Sequence, residues 1–190
     1  LADDTMDLLA QVRSESSMTM KDMESFFNAD FLQKLESVVG TDKLSQTLGE
    51  LMTAQAGVTA GGYTGEGAKT LENMITGLYT KGFEFLSDNQ VVQWQAVTDL
   101  TGTYQKLLNN DIAGAYKTFI SGVQESYKSE EDKWLFKTKA SALGLDSVMD
   151  LVNMDLKTFD KIVGLSTKGM IKNKSSVDEA SRASTEYVNN

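Results

Sequence analysis

Apolar residues recur along this chain at steps of three and four, the spacing of one face of an α-helix. Met20, Met23, Phe27, Phe31, Leu35 and Val38 form such a stripe, with Ser17 or Thr19 placed to cap its start and Gly40 to stop it. A short helix precedes it, from Asp4 to Arg13, with Leu8, Leu9 and Val12 inward. Thr41 is placed to cap a further helix from Asp42 to about Gln55, with Leu44, Leu48, Leu51 and Met52 on one side.

The pattern breaks in residues 57–67, where Gly57, Gly61, Gly62, Gly65 and Gly67 predict a flexible loop or hinge. Periodicity resumes at Leu71, Met74, Ile75, Leu78, Phe85 and Leu86, and stops near Ser87-Asp88. One helix is then predicted from Asn89 to Asn109, carrying Val91, Trp94, Val97, Tyr104, Leu107 and Leu108. After the turn at Asn109-Asn110-Asp111, another carries Ile112, Tyr116, Phe119, Val123 and Tyr127. Ser129-Glu130-Glu131-Asp132 has the look of a capping box before Trp134, Leu135, Ala142 and Leu143, closed by Gly144.

A last long stripe, Val148, Val152, Leu156, Phe159, Val163 and Met170, precedes a tail that opens on a second capping box at Ser176. A marginal helix is expected over 176–188. No segment alternates with period two for long enough to make a strand. The expected fold is all-α: an antiparallel bundle of about seven helices, elongated or not, with no significant β-sheet, in one domain over residues 1–190.

Composition strengthens that reading. There is no Pro in 190 residues, so the strongest interrupter of helices is missing. There is also no His and no Cys. Their absence excludes an imidazole base, a thiolate nucleophile, a disulfide and the His- or Cys-based metal sites. Nor does the chain contain Ser-x-x-Lys, Tyr-x-x-x-Lys or Gly-x-Ser-x-Gly. Clusters such as Asp3, Asp4 and Asp7, or Glu130, Glu131 and Asp132, read as helix starts, where acids favour the helix dipole. No catalytic, metal-binding or cofactor-binding residue is therefore assigned, and the chain reads as a non-enzyme.

One stretch approaches a nucleotide motif. Gly62 to Thr70 resembles a phosphate-binding loop with Ala68 inserted between Gly67 and Lys69. The residues ahead of it predict a helix where that motif needs a β-strand, so a plain helix connection is preferred. No stretch carries the motif of a known family.

The formal net charge is −9, which disfavours nucleic acid as a partner. Residues 1–50 hold ten acids and four bases, whereas residues 111–190 hold twelve and eleven. This polarity suits head-to-tail association of copies, although a plain solvated surface would show it too. Trp94, Tyr104, Tyr116, Tyr127 and Trp134 are the interface candidates, most of them equally explicable as core. Trp134 stands out as an exposed site because Lys133, Lys137 and Lys139 surround it.

No window is apolar enough to span a membrane. The start at Leu1-Ala2-Asp3-Asp4 suits a processed mature form as well as an arbitrary boundary, and an extracytoplasmic location is preferred on that ground. The expected function is a structural or interaction protein that partners itself or another protein: a self-assembling homo-oligomer subunit, an adaptor or an amphipathic coat protein. The alternative is an extracytoplasmic helical module that senses or binds a ligand.

Overall fold

A computed structural model describes residues 26, 28–63, 65–142 and 148–164. Of these residues 84% are helical and none lies in a strand. Asn28 starts helix α1 (Ala29–Val39): its side-chain oxygen accepts from the amides of Asp30 at 2.9 Å and Phe31 at 3.3 Å. The stripe predicted from Met20 is thus interrupted at Asn28, which is extended because a capping side chain requires that backbone. Met20, Met23, Phe27, the caps Ser17 and Thr19, the Asp4–Arg13 helix and the 176–188 helix lie outside the described residues.

Gly40, at φ 88°, ends α1 and leads straight into α2 (Thr41–Ala60). Thr41 does not cap α2; its hydroxyl donates back to Glu36 at 2.9 Å. From Leu44 onward α2 is the most deeply buried helix, with Leu48, Leu51, Met52, Ala56 and Val58 fully enclosed. Its neighbours are α1, α3 (Gly65–Lys81) and α6 (Ile112–Ser129).

The predicted loop over 57–67 is much shorter than expected. Helix α2 continues through Gly57 to Ala60, and α3 already begins at Gly65. Gly57 serves packing: a Cβ there would stand 2.8 Å from the ring of Phe159. Gly67 does likewise, with the Tyr63 ring where its side chain would be. Gly61 and Gly62 alone lie in the turn. There the amide of Gly62 bonds to Thr59 O and that of Tyr63 to Val58 O, while Gly62 takes φ 106°. These paired bonds close the helix end in the manner that favours glycine.

A 3₁₀ turn (Gly82–Phe85) follows α3, and Ser87 with Gln90 then forms a reciprocal capping box for α4 (Asp88–Gln95). The single helix expected from Asn89 to Asn109 is two. Asp99 accepts from the Gly102 amide at 2.9 Å and so starts α5 (Leu100–Leu108). Asp111 does the same for α6 through Gly114. Helix α7 (Lys133–Ala142) is a separate helix, and its cap is Asp132 rather than Ser129, with bonds from the amides of Trp134 and Leu135.

The last predicted stripe is also divided, into α8 (Val148–Val152) and α9 (156–164). The Gln124 amide of α6 donates to the carbonyls of Leu151 and Met154, both at 3.0 Å, and Asp155 caps the helix that follows. These polar groups satisfy the ends that the break exposes.

A contiguous core of buried side chains runs from Phe26 to Ile162. At its centre Tyr116 donates to Gln55 Oε1 at 2.8 Å, and Gln55 Nε2 donates to the Ala68 carbonyl at 2.8 Å. One amide therefore ties α2, α3 and α6. Burial, with the charge of Glu72 second, holds the Tyr116 hydroxyl well above the usual tyrosine range.

Candidate interaction face

The five aromatic candidates divide by depth. Trp94 is buried, its ring 5.4 Å from that of Phe119, and Tyr116 is fully enclosed with its ring stacked 6.4 Å from Phe159. Both are core residues. Tyr104 is half-buried against Phe83, the ring centres 4.9 Å apart. Tyr127 meets Phe136 edge to face at 5.3 Å. Trp134 is 72% exposed, the most open of the large apolar side chains described.

Local chemistry explains that exposure. Helix α7 turns Phe136 and Ala140 into the core, four residues apart on one face. Trp134 and Leu135 consequently lie on the outer side, Leu135 at 39% exposure. The inward anchor is reinforced by Lys133, whose Nζ sits 4.3 Å from the centre of the Tyr127 ring and donates to the Tyr127 carbonyl. A cation at the closing turn of α6 complements the partial negative charge of its unpaired carbonyls. Lys139 pairs with Glu130 at 3.4 Å. Lys137, three residues after Trp134 on α7, and Lys128 in the last turn of α6 are exposed and enter no ion pair among the described residues.

A second exposed apolar edge has the opposite charge balance. Val92 of α4 is 67% exposed, with Asp88 one turn before it on the same face. Phe85 (37% exposed) and Glu84 stand in the 3₁₀ turn that precedes α4, where the Phe85 ring lies over Gly77.

The hinge glycines are not brought together as a site. Gly57, Gly65 and Gly67 lie within helices and Gly61 and Gly62 within a tight turn. Nor does the loop that resembles a phosphate-binding motif have its frame: a helix precedes it, and Lys69 sits exposed on the first turns of α3. No group of three or more acidic side chains converges among the described residues, and no helix there is long and apolar enough to cross a membrane.

Sequence reasoning did not single out Glu50, Thr53, Gln55 or Glu72. Only Gln55 carried a signal, standing four residues after Leu51 and three after Met52 on their apolar stripe; Glu50, Thr53 and Glu72 lie off the stripes, and their burial is set by partners distant in sequence. Comparison with known protein families, curated proteins and solved structures finds no match to this chain.

Proposed function

We propose that the protein is a non-enzymatic helical subunit that associates with copies of itself head to tail, the Trp134 face of one copy meeting the Val92 edge of the next. The observation that carries this reading is the exposure of Trp134 and Leu135 on a helix start rich in lysine. An exposed tryptophan is costly to hydrate and gives much contact area at little loss of side-chain freedom, which makes it a common binding anchor. Charge selects the occupant: Lys137, one turn of α7 from Trp134, complements Asp88, one turn of α4 from Val92, and Glu84 next to Phe85. Two different patches in contact make a heterologous interface, which yields rings or filaments rather than a closed dimer.

Sedimentation velocity across concentration, at low and high salt, tests the assignment. Species larger than the dimer are expected at low salt, and raising salt beyond the physiological range should weaken them by screening the exposed charges. Trp134→Ala should weaken association by about 2 kcal/mol or more, roughly thirtyfold in dissociation constant. Lys137→Glu and Asp88→Lys should each impair assembly alone. Mixed, they should recover alternating assemblies larger than the dimer, because the two reversed charges meet at one junction and the native Lys137 and Asp88 meet at the next. A strictly monomeric protein at millimolar concentration refutes the reading, and so does assembly that ignores Asp88→Lys.

A further inference from the structure

Three acids, Glu130, Glu131 and Asp132, directly precede Lys133, yet its ammonium pairs with none of them among the described residues. Two of the three are committed elsewhere: Asp132 accepts from the amides of Trp134 and Leu135 at 3.0 and 3.2 Å and so caps α7, while Glu130 lies 3.4 Å from Lys139 Nζ. Lys133 turns back across the corner to the end of α6 instead. There its Nζ donates to the carbonyl of Tyr127 and, at 3.4 Å, to that of Lys128.

That end of α6 needs closing. The last carbonyls of a helix have no partner within it, and a glycine in the left-handed conformation is the usual remedy. No glycine stands here: Glu130 follows α6 in an extended conformation, at φ −79° and ψ 117°, and its amide bonds to the Ser126 carbonyl at 3.2 Å. Lys133 supplies donors to the two carbonyls that come next, with a full positive charge set against the negative end of the helix dipole.

The same ammonium lies over the face of Tyr127, 4.3 Å from the ring centre, while Phe136 meets that ring edge to face at 5.3 Å. Lys133 and Phe136 are three residues apart, hence on one side of α7, and both hold one ring. Each residue turns an α-helix by about 100°, so Trp134 stands a little over a quarter turn from that side. One grip is in the first residue of the helix and the other almost a turn later. Together they leave α7 little freedom to rock about its axis or to fray at its start, and the direction of Trp134 follows from them.

We infer that Lys133 is a positioning residue for the Trp134 face: by clamping the first turn of α7 to the last turn of α6, it holds Trp134 in a fixed direction before any partner arrives. The inference deepens the self-association reading and rests on it for the identity of the partner, a second copy of this chain. Ordering a segment during association weakens the complex, and a face already ordered in the free protein avoids that cost. Lys133 thereby sets the strength of the contact without entering it.

The test compares the intact protein with Lys133→Met, which keeps the stem but loses the charge and the donors, and with Lys133→Arg, whose guanidinium both donates to carbonyls and lies over aromatic rings. In protein diluted until it is monomeric, magnetic relaxation of the amides reads the order of the backbone. The order parameters of Trp134 and Leu135 should fall from about 0.85 to about 0.6 in Lys133→Met and return in Lys133→Arg, with the helical circular dichroism unchanged. Sedimentation at assembling concentrations should show Lys133→Met associating about three- to tenfold more weakly although Trp134 is untouched, and Lys133→Arg within about twofold of the parent protein. In a Trp134→Ala background Lys133→Met should make less than about a twofold difference, because the lysine acts through the tryptophan. Unchanged order at Trp134 and Leu135 in Lys133→Met overturns the inference, and so does an equal loss of association with and without Trp134. If the parent protein does not associate at all, the self-association reading falls by itself, and the order parameters still decide whether Lys133 fixes the face.

Discussion

The Gln55 bridge offers the sharpest test of how the bundle is held. Tyr116→Phe removes one hydroxyl and leaves Gln55 Oε1 without a partner in a fully enclosed site. The buried, unpaired carbonyl should cost about 1–3 kcal/mol. Gln55→Met, which keeps the length of the side chain, strands the Tyr116 hydroxyl instead and should cost a similar amount. In the double variant no orphan remains at this contact, although the Ala68 carbonyl keeps only its helical bond. The double variant should therefore cost less than the sum of the single ones by about 1–2 kcal/mol.

Urea unfolding followed by circular dichroism measures all four proteins. Additivity to within about 0.5 kcal/mol would falsify the bridge. The pH dependence gives an independent check. Because burial raises the folded-state pKa of Tyr116, the native-state advantage is complete below the ordinary tyrosine value, where both states are protonated. It is lost as pH rises above that value, since the unfolded chain releases the proton first. Tyr116→Phe should accordingly show a shallower alkaline loss of stability than the parent protein.

Two further predictions concern the helix boundaries and crossings. Gly57→Val should destabilise by about 1–3 kcal/mol, measured by the same urea titration, because the new side chain meets the Phe159 ring; tolerance at that site would mean that Gly57 is a hinge rather than a packing position. Asp99→Ala should cost about 0.5–2 kcal/mol by removing the α5 cap, with faster amide exchange confined to Gly102 and its neighbours; global exchange changes would refute a local capping role.

Helix content was legible because periodicity is a local signal. Leu44, Leu48, Leu51 and Met52 declare their shared face within two turns of chain, and each is buried. Trp134 was legible for a related reason, its lysine-rich flanks being unsuited to a core. What eluded the sequence was set by distant partners. Gly57 reads as a loop former until Phe159 arrives against it, and the gap it leaves is where α9 crosses α2. The breaks at Asp99 and Asp155 were hidden by continuity of the apolar stripes, which carry on across a cap without a change of spacing. A recess lined by Glu50 of α2, Asn110 and Asp111 of the turn before α6, and Val163 of α9 draws its walls from three parts of the chain, so no local motif could announce it.

The capping side chains carry a consequence for how such a chain can change over time. Asn28, Asp99, Asp111 and Asp155 set helix starts with one capping side chain each, in a sequence where no proline enforces the boundaries. A proline forbids continuation of the helix, but an aspartate merely rewards a stop. A single codon change can thus lengthen, fuse or shift a helix while leaving the apolar stripe intact, and the lineage can adjust the reach of its outer faces without dismantling the core.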